Sequence, residues 1–235
     1  MMKYWNPGDV KTRLGSSIGY QQAAHLHRTF VGHLCQQLAK TAGLRELVVW
    51  PPEQIPLVSQ QLAQWQSESW NIRVQVDGDL GQRMARWIED TLAHCEVAIL
   101  IGADCPVLSH DDISTAISML QANDVVLGPA ADGGYYLVGI RGPWKDQMNR
   151  LFENMTWSQG DVFQTTERRI TEIGLKMGQL PIREDIDTNA ELSRLRNELT
   201  ISDNPTDRTL SRQIDLILNT DAEDNTISSL PIASE

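Results

Sequence analysis

Two rhythms of apolar residues alternate along the chain. Continuous apolar runs predict buried strands, and apolar residues spaced three and four apart predict amphipathic helices. Residues 44–50 (LRELVVW) predict a strand closed by Pro51 and Pro52, followed by a helix over 53–66 and a short strand over 72–76. The segment QRMARWIEDTLAH then sets Met84, Trp87, Ile88 and Leu92 on one helical face. Residues 96–102 form the most apolar run and are expected at the centre of a sheet. A helix runs from Asp111 and Asp112, good capping residues, to about residue 122. Strands over 124–128 and 135–140 flank the short link PAADGG, which makes them antiparallel neighbours. A helix over 161–173, a strand over 175–181 and a helix over 189–198 complete the pattern. Strands alternating with helices predict an α/β fold with a mainly parallel sheet.

From residue 198 the pattern changes. Residues 198–235 hold eight acids against Arg208 and Arg212, and carry one short amphipathic candidate over 209–218. The chain is therefore read as a domain over 1–197 and an acidic, disordered tail over 198–235.

The whole chain carries 20 basic against 31 acidic residues, a formal charge of −11. That balance argues against nucleic acid, whose binders rely on a basic face, and against an anionic membrane surface. The longest apolar stretch, Val97 to Ile101, is far short of the roughly 20 residues a membrane span needs. The opening MMKYWNPG lacks the apolar core of a secretory signal, so a cytoplasmic location is expected. Cys35, Cys95 and Cys105 show no CxxC spacing and are expected to be reduced. Oligomeric state leaves no signal.

Four loops combine glycine or charge at strand ends, where open α/β sheets place their ligands. In Pro7-Gly8-Asp9-Val10-Lys11-Thr12-Arg13, a glycine turn followed by two cations suits a phosphate chain, though a solvated turn would look alike. Gly78 and Gly81 flank a helix start where a ring or ribose could approach, or where Asp79 simply caps the helix. Asp104 follows the most buried strand and is placed to hold Mg²⁺, or to serve as a turn residue. Asp187, in Asp185-Ile186-Asp187-Thr188, offers a second carboxylate or a helix cap. His25, His27 and His33 share one predicted helix, but their spacing does not bring them together as a metal site.

Taken in order, KYWNPGDVKTRL, GDLGQRM, IGADCPVLS, VVLGPAADGGYYLVGI, the Trp157-Ser158 pair and DIDT resemble the DUF2064 family of GT-A-like transferases, within the nucleotide-diphospho-sugar transferase superfamily. The resemblance spans about residues 3–196. It implies a GT-A/Rossmann-like three-layer α/β/α sandwich. It further implies that Gly8, Lys11 and Arg13 bind nucleotide phosphates and that Gly78 and Gly81 lie near the base or ribose. Asp132, Gly133 and Gly134 would line the acceptor or sugar side, and Asp104 with Asp187 would hold Mg²⁺ or Mn²⁺. Two departures stand out. Only Met1 and Met2 occupy the place of the family's first strand, so that strand is expected to be missing or truncated, either by a start set too late or because this copy is structurally compromised. Asp9 stands where the family commonly has a basic residue and would weaken phosphate attraction, depending on its orientation.

The expected function is a Mg²⁺-dependent transfer from a nucleotide sugar to an unidentified small-molecule acceptor. Nucleotidyl transfer, with an acceptor attacking an α-phosphorus and pyrophosphate leaving, is the alternative. Lys11 and Arg13 would neutralise the leaving diphosphate, and Asp132 is the one loop acid suited as a general base. A non-catalytic nucleotide- or partner-binding protein is the reading from another class.

Overall fold

The computed structural model describes residues 1–219 apart from Gln66, Glu68 and Ser158. They form two compact bodies: Met2–Val74 with the chain from Ile186 onward, and Met1 with Gln75–Asp185.

The first body holds a three-stranded parallel sheet in the order β1 (Met2–Lys3), β2 (Glu46–Trp50), β3 (Asn71–Val74). Leu47, Val48 and Val49 of the middle strand are buried, as a continuous apolar run requires of a strand covered on both faces. β1 contributes only Met2 opposite Val49 and Lys3 opposite Trp50, so the first strand is a two-residue stub. Helices α1 (Thr12–Ile18) and α2 (Tyr20–Gln37) meet at Gly19, whose φ of 99° ends the first helix. Ala23, Leu26, Phe30 and Leu34 recur on the buried face of α2. Burying Phe30 alone is worth roughly 2–3 kcal/mol. Helix α3 (Ile55–Gln64) packs on β3.

The expectation of a disordered tail from residue 198 fails over most of its described length. Helix α7 (Asn189–Ile201) continues past 198, and Pro205–Asn219 form α8. Leu210, Ile214 and Ile217 make a buried stripe on α8, which packs against α2 and α7. Three of the acids that suggested disorder are engaged outside this stripe. Asp215 takes the Arg196 guanidinium at 2.6 Å, Asp203 takes Arg208 at 2.9 Å, and Asp207 accepts from Ser202. Residues 220–235 lie outside the described residues.

The second body holds a four-stranded sheet of β4 (Val97–Ile101), β5 (Val125–Pro129), β6 (Tyr135–Arg141) and β7 (Met177–Gln179), ordered β4-β6-β5-β7. β6 is antiparallel to β4 and β5, while β5 and β7 run parallel. The predicted β5–β6 hairpin therefore exists, and it displaces β4 from the expected centre to one end of this sheet. Helix α4 (Leu80–Leu92) packs on β4 and α6 (Val162–Glu172) on β7. Helix α5 (His110–Met119) starts one residue earlier than expected: Ser109 is the cap, and Asp112 closes the capping box behind it. Both bodies are α/β, with parallel pairing throughout the first and mixed pairing in the second.

Candidate functional site

The cation loop lies in the first body. Its turn closes through the Asp9 amide on the Asn6 carbonyl, with Lys3 Nζ donating to the Asp9 carbonyl at 3.1 Å. The Asp9 carboxylate accepts from Asn6 Nδ2 at 3.2 Å, so the acid in the loop is turned toward its own turn. Gly8 supplies a φ of 85° with nothing within 4 Å of where a Cβ would stand, and Lys11 itself is left-handed at φ 48°, ψ 43°. A non-glycine residue there costs about 1–2 kcal/mol, so surrounding contacts must hold it. They do. Val10 and Leu14 on either side are buried, and the Lys11 side chain is only 2% exposed.

Lys11 Nζ donates to Asp187 Oδ1 at 3.0 Å, and Arg13 Nη2 donates to Asp187 Oδ2 at 2.6 Å. The two ends differ in freedom, because Arg13 is 65% exposed. Asp187 is fixed from behind by a capping box at the start of α7. Glu191 Oε2 accepts from the Asp187 and Thr188 amides at 2.6 Å each, and Thr188 Oγ1 accepts from the Glu191 amide. Residues 176 and 174 positions apart thus meet as two cations on one carboxylate.

The second body carries the other expected site residues. Asp104 follows β4 in a half-buried turn, and the amide of Gly102 before it continues the sheet to the Tyr136 carbonyl. Beside the turn, burial alone would push the Asp112 carboxyl up, but the Arg183 guanidinium at 2.6 Å and the Ser109 hydrogen bonds hold it below its ordinary range. Arg183 is itself pinned along β5, accepting from Ala131 and donating to Pro129 through its backbone. Burial pushes the Cys105 thiol up to about 12, with the Asp185 charge adding to it, so this thiol is inert at neutral pH.

Four of the glycines assigned to ligand approach are occupied by the protein's own chain. A Cβ on Gly81 would sit 2.3 Å from the Phe152 carbonyl oxygen, and one on Gly78 would meet the Gln82 side chain. Asp79 and Gln82 form the capping box there, so the helix-cap reading of this loop holds. Gly133, at φ 91°, packs against Gly160 with a would-be Cβ 2.0 Å from its carbonyl oxygen. Gly134 donates to Asp132 Oδ1 at 2.9 Å, which makes exposed Asp132 a turn-forming residue as well as a candidate base. Trp157 stands edge-on to Tyr135 with centroids 6.2 Å apart, while its neighbour Ser158 lies outside the described residues.

Among the described residues, no group of three or more His, Cys, Asp and Glu is arranged to hold a metal ion. A one-carboxylate Mg²⁺ or Mn²⁺ site needs fewer, and the hard oxygen donors of Asp104 suit either ion. Asp187 fits that role less well, since each of its oxygens already accepts from a cation. The three histidines have separate surroundings: His25 Nε2 lies 3.4 Å from Gln21 Nε2, His27 Nε2 bonds the Lys3 carbonyl, and His33 is buried, which pushes its pKa down to about 4.

Sequence reasoning missed Glu191 and Arg183, and took Asp112 for a cap where it closes the box behind Ser109. Glu191 and Asp112 were legible as the ends of Thr188-x-x-Glu191 and Ser109-x-x-Asp112 capping boxes. Arg183 carries no local signal, because its role depends on pairing across 71 residues.

The chain is 31% identical, with a TM-score of 0.80, to the crystal structure of a Desulfovibrio desulfuricans G20 protein described as a "putative nucleotide-diphospho-sugar transferase"; the match covers 92% of this chain and 94% of that one. Residues 34–159 match the family described as "Uncharacterized protein conserved in bacteria (DUF2064)". No curated protein matches. The chain is a member of the DUF2064 family, with the fold of that structural relative. Among the described residues, no helix is long and apolar enough to cross a membrane.

Proposed function

We propose that this protein is a divalent-metal-dependent transferase that takes a nucleotide sugar as donor and passes the sugar to a small-molecule acceptor. The observation that carries the reading is the convergence of Lys11 and Arg13 on one anionic position, with Lys11 held there in a left-handed backbone. The structural relative's description supports the nucleotide-sugar donor. Lys11, buried and immobile, orients a phosphate; Arg13, exposed, closes on it and neutralises charge that grows as the diphosphate leaves. A Mg²⁺ or Mn²⁺ ion held by Asp104 would supply further charge neutralisation on phosphate oxygens. Asp132 would take the proton of a hydroxyl acceptor; a phosphate or carboxylate acceptor needs no base. With Cys35, Cys95 and Cys105 all free thiols, the reading sets this activity in the cytoplasm.

The loop serves nucleotidyl transfer equally, since that reaction also needs cations on a leaving diphosphate. Incubation with Mg²⁺ and a panel of nucleoside triphosphates and nucleotide sugars separates the two: glycosyl transfer releases a nucleoside diphosphate, nucleotidyl transfer releases pyrophosphate. If no nucleotide raises the melting temperature, both readings fail and a partner-binding role without catalysis takes their place.

A further inference from the structure

The carboxylate between the two cations has a position of its own to explain. Asp187 binds Lys11 through one oxygen and Arg13 through the other, at 3.0 and 2.6 Å. Its backbone is clamped by Glu191 through two amide hydrogen bonds, so its reach toward the loop is fixed by the start of α7. Lys11 cannot turn away, because its side chain is buried and its backbone is held at a φ of 48°. Lys11 offers three N–H donors and Arg13 five, so the contest is for position and not for single donors: an anion that bridges both cations as the carboxylate does takes its place.

We infer that Asp187 is the resident anion of the phosphate seat: it holds Lys11 and Arg13 in position, and a ligand phosphate binds by displacing it from them. The inference rests on the reading of Lys11 and Arg13 as phosphate ligands and deepens it, giving Asp187 the part of an internal competitor instead of a metal ligand. Exchange is easiest at the exposed Arg13 end, whereas Lys11 stays in place for either anion. The arrangement makes the seat selective. A singly charged anion gains little over the resident carboxylate, while a diphosphate brings more charge and more acceptor oxygens to the same two donors.

The test is calorimetric titration of inorganic pyrophosphate into the full chain in EDTA at low salt, with folding checked by circular dichroism. Asp187→Asn removes the competing charge at nearly constant shape, and Asp187→Ser is read in parallel so that the loss of one fold leaves the other. Each is expected to bind pyrophosphate about tenfold more tightly than the unaltered chain. Lys11→Met is expected to bind at least about tenfold more weakly. If the Asp187 variants match or fall below the unaltered chain while Lys11→Met is weakened, the resident-anion inference is overturned and the phosphate reading stands. If Lys11→Met binds like the unaltered chain, or if nothing binds either in EDTA or with Mg²⁺ present, the phosphate reading itself falls. A loss of affinity in Asp187→Asn that shows only with Mg²⁺ present would return Asp187 to the metal and also overturn the inference.

Discussion

Replacing Gly133 by alanine distinguishes a glycine kept for a ligand from one kept for the fold. The new Cβ would lie 2.0 Å from the Gly160 carbonyl oxygen, 2.5 Å from its carbonyl carbon and 2.7 Å from its Cα. Carbon–oxygen contacts settle near about 3.3 Å, so the PAADGG loop and the Gly160 loop must part by about 1 Å. That movement stretches the 2.8 Å hydrogen bond from the Phe163 amide to the Gly133 carbonyl, which ties α6 to the loop. Overpacking of this kind costs about 1–3 kcal/mol. The φ of 91° adds about 1 kcal/mol, for a total near 2–4 kcal/mol. Gly8→Ala is the control. Its φ is 85°, but nothing lies within 4 Å, so it should cost only about 1 kcal/mol. Urea denaturation followed by tryptophan fluorescence reads both. Equal losses in the two variants would refute the packing argument. So would a Gly133→Ala chain of normal stability that has lost only ligand affinity, which would make Gly133 a ligand-approach residue after all.

Other predictions concern charge and the C-terminal helix. His33 has its pKa pushed down to about 4, chiefly by burial, with the Asp207 charge opposing. The folded chain therefore keeps it neutral where the unfolded chain protonates it, below about pH 6.5. Stability attached to His33 is complete above that value and declines by about 3 kcal/mol as pH falls toward 4; a His33→Phe chain that loses stability just as steeply over this window would contradict the assignment. Asp112 has its carboxyl held below the ordinary range, so its contribution is present above about pH 4 and lost as pH falls through the depressed value. Asp112→Asn should cost about 1–2 kcal/mol at neutral pH, since its partner Arg183 keeps some solvent, and should flatten the acid limb of the stability curve. Leu210→Ala in α8 should cost about 2–4 kcal/mol, measured by chemical denaturation; a change under about 0.5 kcal/mol would mean that α8 contributes nothing to the fold.

The strands and helices that pack two-sided or on one clear stripe were legible from the residues alone. β2 and α4 show this: an unbroken LVV run and a Met84-Trp87-Ile88-Leu92 face have few other ways to bury themselves. β4 had an equally clear run, but its place at the end of a four-stranded sheet depends on β6 pairing back between it and β5, a non-local choice. The C-terminal segment misled because net charge outweighed a stripe of three apolar residues that only α2 and α7 make useful. At the site, the loop composition pointed to Lys11 and Arg13, and the DIDT string pointed to Asp187. That all three meet could not be read, since the contact joins positions 11 and 13 to 187. The glycines were the least legible. Glycine at the start of a helix has the same appearance whether Phe152 or a ribose fills the space above it.

The central claim is that Lys11 and Arg13 receive the phosphates of a nucleotide. It is tested most directly by titrating nucleoside diphosphates, with Mg²⁺ present, into the unaltered chain and into a correctly folded Lys11→Met chain. The account predicts saturable binding of at least one nucleoside diphosphate to the unaltered chain, weakened at least about tenfold by Lys11→Met. Binding of equal strength to both chains would contradict it.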